Sequence, residues 1–102
     1  MPTRQQIQKL LTLEPNDPFM LYALAIDHAK EGEHESAVEF FNKTIAADPD
    51  YVYAYYHQAR SFESLDRTEK AKSTLDTGLE AAKRVNDAKG ISEITSYRTM
   101  LS

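Results

Sequence analysis

The chain has 102 residues, a length typical of one domain, and contains no cysteine, which excludes disulfide bonds and cysteine-based metal sites. Its net charge is −4, from 12 Lys and Arg against 16 Asp and Glu, so the phosphate backbone of a nucleic acid would be repelled. The N-terminal residues lack the apolar run of a signal peptide or a membrane span, so we expect a cytoplasmic protein that does not bind membranes.

The first two predicted helices cover residues 3–13 and 17–31. In the second helix, three apolar residues and a histidine recur at the i, i+3, i+4 and i+7 positions of a single face. These residues are Leu21, Leu24, Ala25 and His28. Asp17-Pro18 predicts the helix start, because aspartate caps a first turn and proline lacks an N–H that would be unsatisfied there. Gly32 can adopt the left-handed conformation that ends the helix.

The remaining four predicted helices cover residues 34–47, 51–65, 68–85 and 88–101. Asp48-Pro49-Asp50 separates the first two of them, and Leu65-Asp66-Arg67 is expected to form the same kind of turn as the segment around Gly32. Nothing stops the fifth helix before Asn86-Asp87, so we expect it to be the longer one. The connections are only a few residues long, which favours antiparallel hairpins.

The sequence resembles itself at an interval of 34 residues. Large side chains align with large ones, alanines align with alanines, and Pro15 aligns with Pro49. The other aligned pairs are Leu21 with Tyr55, Ala25 with Ala59, His28 with Phe62, Ala37 with Ala71, Phe41 with Leu75, and Ile45 with Leu79. The recurring alanines allow two helices to approach closely while their larger neighbours interlock. The interval therefore indicates helical hairpins that stack side by side.

This helix–turn–helix pattern resembles the tetratricopeptide repeat over nearly the whole chain. The resemblance implies an all-α fold, a right-handed α-α superhelix of antiparallel hairpins with about six helices in a single domain. The implied divisions of residues 1–102 are a half-repeat helix at 3–15, full repeats at 18–51 and 52–85, and a C-terminal capping helix at 86–102.

The second implied repeat is less regular than the first. Gln58 replaces the usual Leu, Asp66 the usual Gly, and Lys83 the usual closing Pro. We expect these departures in a unit near the end of the array that faces water and the last helix. Because two full repeats are fewer than such arrays usually need, both flanking helices are expected to be required for folding.

The resemblance also implies a protein–protein interaction scaffold with no enzymatic activity and no cofactor. The first helix of each repeat would line a concave groove that holds a peptide or a segment of another protein. The matching groove residues are Phe19, Tyr22, Ile26, Lys30, Tyr53, Tyr56, His57, Arg60 and Ser64. Tyrosine and arginine are favoured at interface hot spots, so an aromatic and weakly basic groove is expected.

Several alternatives remain open for this surface. The last helix could cover part of the aromatic stripe and make it core. Arg60 could pair with an acidic group of a ligand or remain a solvated surface charge. The same surfaces could mediate self-association, as in a homodimer, with Phe40 and Val52 as candidates for exposed apolar patches.

Other chemistries find little support in the sequence. Some tetratricopeptide proteins hold a C-terminal carboxylate with a Lys/Asn/Arg clamp, but the matching positions here hold Tyr22, Ile26 and His57, which disfavours that mode. No two of the three histidines are spaced i, i+4 on one helix, so no metal site is expected, and His28 is interpreted as a hydrogen-bonded interior ring. The chain has neither a glycine-rich phosphate loop nor a nucleophile elbow.

Overall fold

The computed structural model describes residues 2–101 as six α-helices. They are α1 (Arg4–Leu13), α2 (Pro18–Lys30), α3 (His34–Ala47), α4 (Val52–Ser64), α5 (Thr68–Arg84) and α6 (Ala88–Met100). Every helix end lies within one residue of its predicted position. No strand occurs in the described range, and the predicted all-α fold class is confirmed. None of these helices is long and apolar enough to cross a membrane.

Side chains cap the first turns of three helices. Thr3 forms a capping box with Gln6 at the start of α1. The carboxylate of Asp17 accepts hydrogen bonds from the amides of Phe19 and Met20, as expected for the start of α2. Asp87 accepts from the amide of Gly90 in α6 in the same way. These bonds satisfy amides that have no partner within their helices.

Residues with a left-handed backbone follow three of the helices. Gly32 (φ 77°) follows α2, Asp66 (φ 59°) follows α4 and Asn86 (φ 56°) follows α5. Asp66 therefore adopts the left-handed conformation that Gly32 adopts one hairpin earlier, as predicted. Helix α5 has 17 residues and is longer than its neighbours, which also agrees with the expectation.

The helices pack in the order of the chain. The most extensive contacts join α2 with α3 and α4 with α5, and further contacts join α1 with α2, α3 with α4, and α5 with α6. In addition, α4 contacts both α2 and α6. Helices α2, α4 and α6 therefore lie side by side along one face of the stack.

Small residues allow this close packing. Ala25 and Ala37 between α2 and α3, and Ala59 and Ala71 between α4 and α5, have no exposed surface. In α5, a Cβ atom added at Gly78 would lie 2.6 Å from the Cβ atom of Tyr55. Two helices can approach this closely only where one of them has no side chain.

Two expectations about exposed positions are wrong. Gln58 is buried rather than facing water, because its amide donates to the carbonyl of Val38 (3.1 Å) and to Oδ1 of Asn42 (2.7 Å). Val52 is buried rather than part of an exposed patch, because α6 packs closely on it. A Cβ atom added at Gly90 would lie 2.9 Å from Cγ1 of Val52.

The other proposed apolar patch residue, Phe40, is half-buried. Its ring stacks on the imidazole of His28, with ring centroids 5.2 Å apart and planes 6° apart. His28 is itself half-buried, and its Nδ1 atom lies 2.9 Å from Oε1 of Glu33. The predicted hydrogen-bonded ring is present, at the edge of the core rather than in its centre.

Candidate functional site

Two hollows run along the face formed by α2, α4 and α6. The α2–α4 hollow has a volume of about 400 Å³ and the α4–α6 hollow about 480 Å³. Ile26, Ala29, Lys30, His34, His57, Arg60, Ser61, Glu63 and Ser64 line the first. Tyr56, Arg60, Glu63, Ser92, Glu93, Ser96, Tyr97 and Met100 line the second. Because Arg60 and Glu63 line both hollows, the two form one groove with α4 along its middle.

Five rings form an aromatic row across the groove. Its successive members are Tyr51, Tyr22, His57, Tyr56 and Tyr97, whose centroids are separated by 4.7, 6.0, 5.3 and 5.4 Å. Two of these pairs meet edge to face, an arrangement that aromatic rings prefer, and the other two are tilted. The row spans α2, α4 and α6, so its rings hold the three groove helices at a fixed spacing.

Burial and nearby charge set the protonation of this row. Burial lowers the pKa of His57, the nearby Arg60 guanidinium lowers it further, and Glu93 opposes them in part. Burial, together with Tyr51 and Tyr53, raises the pKa of Tyr22 to about 12. The imidazole and the phenol are therefore neutral near pH 7, and they offer hydrogen bonds without adding charge.

The structure distributes the predicted groove residues unevenly. Ile26, Lys30, His57, Arg60 and Ser64 line the α2–α4 hollow, whereas Tyr56 lines the α4–α6 hollow and Tyr22 belongs to the aromatic row. Phe19, at the start of α2, lies outside both hollows and is 60% exposed.

Helix α6 covers part of the predicted stripe. Tyr97 of α6 contacts Tyr56, and the hydroxyl of Tyr53 is shielded from solvent. Burial, followed by the neighbouring Glu93, raises the pKa of Tyr53. Tyr56 remains half-buried and Arg60 remains exposed. The groove is therefore open along α2 and α4 and narrowed by α6 at the Tyr53 end.

Sequence reasoning missed several groove residues. Glu63, Tyr97 and Met100 line the α4–α6 hollow, and His34 lines the other hollow, where its Nδ1 lies 3.2 Å from Oγ of Ser61. A signal for Tyr97 exists in the sequence. The buried Gly90, Ile94 and Tyr97 of α6 follow Tyr55, Ala59 and Phe62 of α4 at a constant 35 residues, one more than the interval between the preceding units.

The groove shows no arrangement typical of a metal centre. Among residues 2–101, no group of three or more His, Asp and Glu side chains is placed to hold a metal ion. The structure instead offers rings, hydroxyl groups and an arginine on a concave surface. Such a surface can hold an extended or helical polypeptide segment.

Comparisons with known proteins match both the sequence and the fold. The sequence profile of the tetratricopeptide repeat family matches residues 28–91. An uncharacterised protein of Methanocaldococcus jannaschii is 31% identical over 68 residues, which cover 67% of this chain and 79% of that protein.

Two solved structures superimpose well on this chain. The solution structure of a tetratricopeptide repeat domain protein from Salinibacter ruber is 38% identical, with a TM-score of 0.80 over 86% of this chain and 89% of that one. The TPR2B domain of yeast Sti1, solved in a complex with pHsp70, is 23% identical, with a TM-score of 0.89 over 96% of this chain and 78% of that one. At that lower identity the likeness concerns the fold alone.

Proposed function

The chain belongs to the tetratricopeptide repeat family, and on that premise we propose that it is a scaffold that binds a segment of another protein in the groove of α2, α4 and α6. The observation that supports this role most directly is the partly exposed aromatic row beside two open hollows. Rings of this kind provide contact area at low entropic cost. The Sti1 domain, of similar fold, was solved with a bound partner.

The proposed site comprises Phe19, Tyr22, Ile26, Tyr56, His57 and Arg60, with Tyr53 beneath its narrow end. We also propose residues 18–51 and 52–85 as the two full repeats, 3–15 as a half-repeat and 86–102 as the terminal cap. In this arrangement the first helices of the repeats present the groove and the second helices support it. The proposed role requires binding only and involves no reaction.

Replacing apolar residues of the proposed site, one in the α2–α4 hollow and one at the start of α2, tests this function. A photo-crosslinking amino acid at position 56 should join the protein to a partner in a lysate of its source cell. The Phe19→Ser/Ile26→Ser variant should lose that crosslink, because it removes apolar contact area next to the aromatic row. The control Val85→Ser changes an apolar residue that is 46% exposed and lies outside the groove, so it should retain the crosslink. Equal crosslinking by both variants would contradict the proposed site.

A second candidate function, self-association, is supported by an apolar edge at the α1 end of the stack. Leu10, Leu13 and Met20 line a small hollow there, and Leu13 is 79% exposed. A second copy of the chain could cover this edge. Light scattering over a range of protein concentrations tests it. A mass that stays at the monomer value throughout excludes this function, and a concentration-dependent increase that Leu13→Ser abolishes supports it.

A further inference from the structure

Arg60 differs from the other four arginines of the chain. Arg4, Arg67, Arg84 and Arg98 each contact a carboxylate at 2.6 to 3.0 Å. For Arg60, the structure of residues 2–101 records neither an ion pair nor a hydrogen bond. Arg60 is exposed and lines both hollows of the groove, so its guanidinium is available to a segment bound there.

The nearest acid along α4 is already engaged. Glu63 follows Arg60 by three residues, a spacing at which oppositely charged side chains can pair. Oε1 of Glu63 instead accepts a hydrogen bond from the hydroxyl of Tyr97 at 2.6 Å. Burial is the main cause that raises the pKa of Tyr97, and this short bond is the second. The bond also directs the carboxylate of Glu63 toward α6.

A second cation lies in the α2–α4 hollow. Lys30, at the C-terminal end of α2, is exposed and also has no recorded carboxylate partner in the described part of the chain. Glu63 is the sole acidic residue among those that line this hollow. Burial, and then the nearby Arg60 charge, lower the pKa of His57, so this ring adds no positive charge to the hollow near pH 7. Although the whole chain has a net charge of −4, this hollow favours an anion.

We propose that the α2–α4 hollow is a carboxylate site, in which Arg60 and Lys30 hold the side chain of an Asp or Glu within the bound partner segment. This inference rests on the proposed function. Arginine pairs with carboxylates in a two-pronged geometry, and Lys30 supplies a second charge from the opposite helix. Ile26 and Ala29 line the same hollow and would contact an apolar neighbour of that acidic residue. The preferred partner is therefore a segment in which an acidic residue lies next to an apolar one.

The other end of the groove has the opposite character. Arg60 and Glu63 line both hollows, but the α4–α6 hollow adds Glu93 where the α2–α4 hollow adds Lys30, and the contact of Glu93 with Lys89 is long, at 3.9 Å. An acidic side chain would be repelled there and attracted at the α2–α4 hollow. This difference in charge selects one direction for the bound segment.

Peptide display on the intact protein tests the carboxylate site. A library of random twelve-residue peptides, each fused through its C-terminus so that no free carboxylate ends the chain, is selected on the wild type and on Lys30→Gln/Arg60→Gln. The matched control Lys9→Gln/Lys83→Gln loses the same charge from two lysines outside both hollows. We expect an excess of Asp and Glu over the input library on the wild type and on the control, and its loss on Lys30→Gln/Arg60→Gln.

Each other outcome of the selection has a defined meaning. Peptides that are enriched without excess acid, but lost on Phe19→Ser/Ile26→Ser, overturn the carboxylate site and leave groove binding intact. No enrichment on the wild type over the bare support counts against both proposals. Acid enrichment that persists on Lys30→Gln/Arg60→Gln also overturns the site, because the attraction would then come from elsewhere.

Affinities of one selected peptide provide the quantitative test. The peptide is made with an amidated C-terminus, once with its acidic residue and once with the matching amide. The change to the amide should weaken binding to the wild type about three- to fivefold, as expected for an exposed ion pair that contributes up to about 1 kcal/mol. The same change in the peptide should weaken its binding to the Lys30→Gln/Arg60→Gln variant less than about twofold. Equal losses on both proteins would show that the acid contacts neither cation.

Discussion

At the scale of single residues, the absence of a side chain at position 78 determines how closely α5 approaches α4. An added Cβ would lie 2.6 Å from Cβ of Tyr55, an atom fixed to the backbone, so the helices would have to separate. We expect Gly78→Ala to lower the free energy of unfolding by about 1 to 2 kcal/mol. So close a contact places the overpacking strain in the upper part of its range of about 1 to 3 kcal/mol, above the helix-propensity gain of about 1 kcal/mol.

Urea unfolding monitored by circular dichroism measures this loss. The control Ser73→Ala changes an exposed position of the same helix and should shift the free energy of unfolding by less than about 0.5 kcal/mol. A Gly78→Ala variant more stable than the wild type would show that the two helices separate without cost.

Gln58 is a second residue whose role depends on its surroundings. Its amide is buried and donates to the carbonyl of Val38 and to the side chain of Asn42. Both acceptors can do without it, because the carbonyl of Val38 lies within α3 and the side chain of Asn42 is exposed to water. We expect Gln58→Ala to cost about 2 kcal/mol through the cavity it leaves. Gln58→Leu should cost less than about 1 kcal/mol, because an apolar side chain of similar size needs no partner there. Chemical denaturation compares them, and a leucine variant less stable than the alanine variant would contradict this view.

At the scale of helices, one ionic cluster joins α1 to the hairpin of α2 and α3. Arg4 contacts Asp27 at 2.6 Å and Glu33 at 2.7 Å, and Glu33 also contacts His28. The hydrogen bond from Arg4, followed by that from His28, lowers the pKa of Glu33 below its ordinary 4.5. A carboxylate with a lowered folded-state pKa stabilises the fold above its unfolded value, and that contribution disappears as pH falls through the folded value.

We therefore expect α1 to loosen in acid, as the pH falls from 4.5 through the lowered pKa of Glu33. The amide resonance of Ile7, the buried residue of α1, reports this in NMR spectra recorded between neutral pH and about pH 3. Arg4→Ala should loosen α1 already at neutral pH and reduce the acid effect. Lys9→Ala, in the same helix but without a recorded ion pair, should behave as the wild type does. An acid response unchanged by Arg4→Ala would exclude Glu33 as its source.

At the scale of the whole molecule, α6 belongs to the same core as the hairpins before it. Ile94 has no exposed surface and packs in one cluster with Val52, Leu75 and Ala82. We expect Ile94→Ala to cost about 2 to 5 kcal/mol and to lower the midpoint of a single unfolding transition. The control Val85→Ala, at a position 46% exposed, should cost far less. A separate early transition of α6 alone would show that it is only loosely attached.

The helices could be predicted from the sequence because their boundaries are set locally. Asp17 caps α2 through amides two and three residues away, and Gly32 or Asp66 ends a helix through its own backbone conformation. Burial could not be predicted as well. Val52 is covered by Gly90, which lies 38 residues further along the chain and outside the 34-residue interval. The buried residues of α6 follow those of α4 by 35 residues, not 34. Extending the 34-residue interval to α6 therefore does not identify the residues that α6 covers.

The candidate groove could be predicted in part for the same reason. Tyr22, Ile26, His57 and Arg60 lie on the groove face, because helical periodicity determines which residues share a face. The covering of Tyr53 and the engagement of Glu63 by Tyr97 depend on the position of α6, which periodicity within one helix does not determine.

The chain-order packing of the six helices has a consequence for how the protein forms. Every recorded helix contact joins elements one or two places apart, so no contact closes a long loop. Low contact order predicts folding within about microseconds to milliseconds, because little loop-closure entropy is lost before contacts form. During synthesis on the ribosome, α2 and α3 can pair before α5 has been translated. Each new helix can then pack on the helix made just before it.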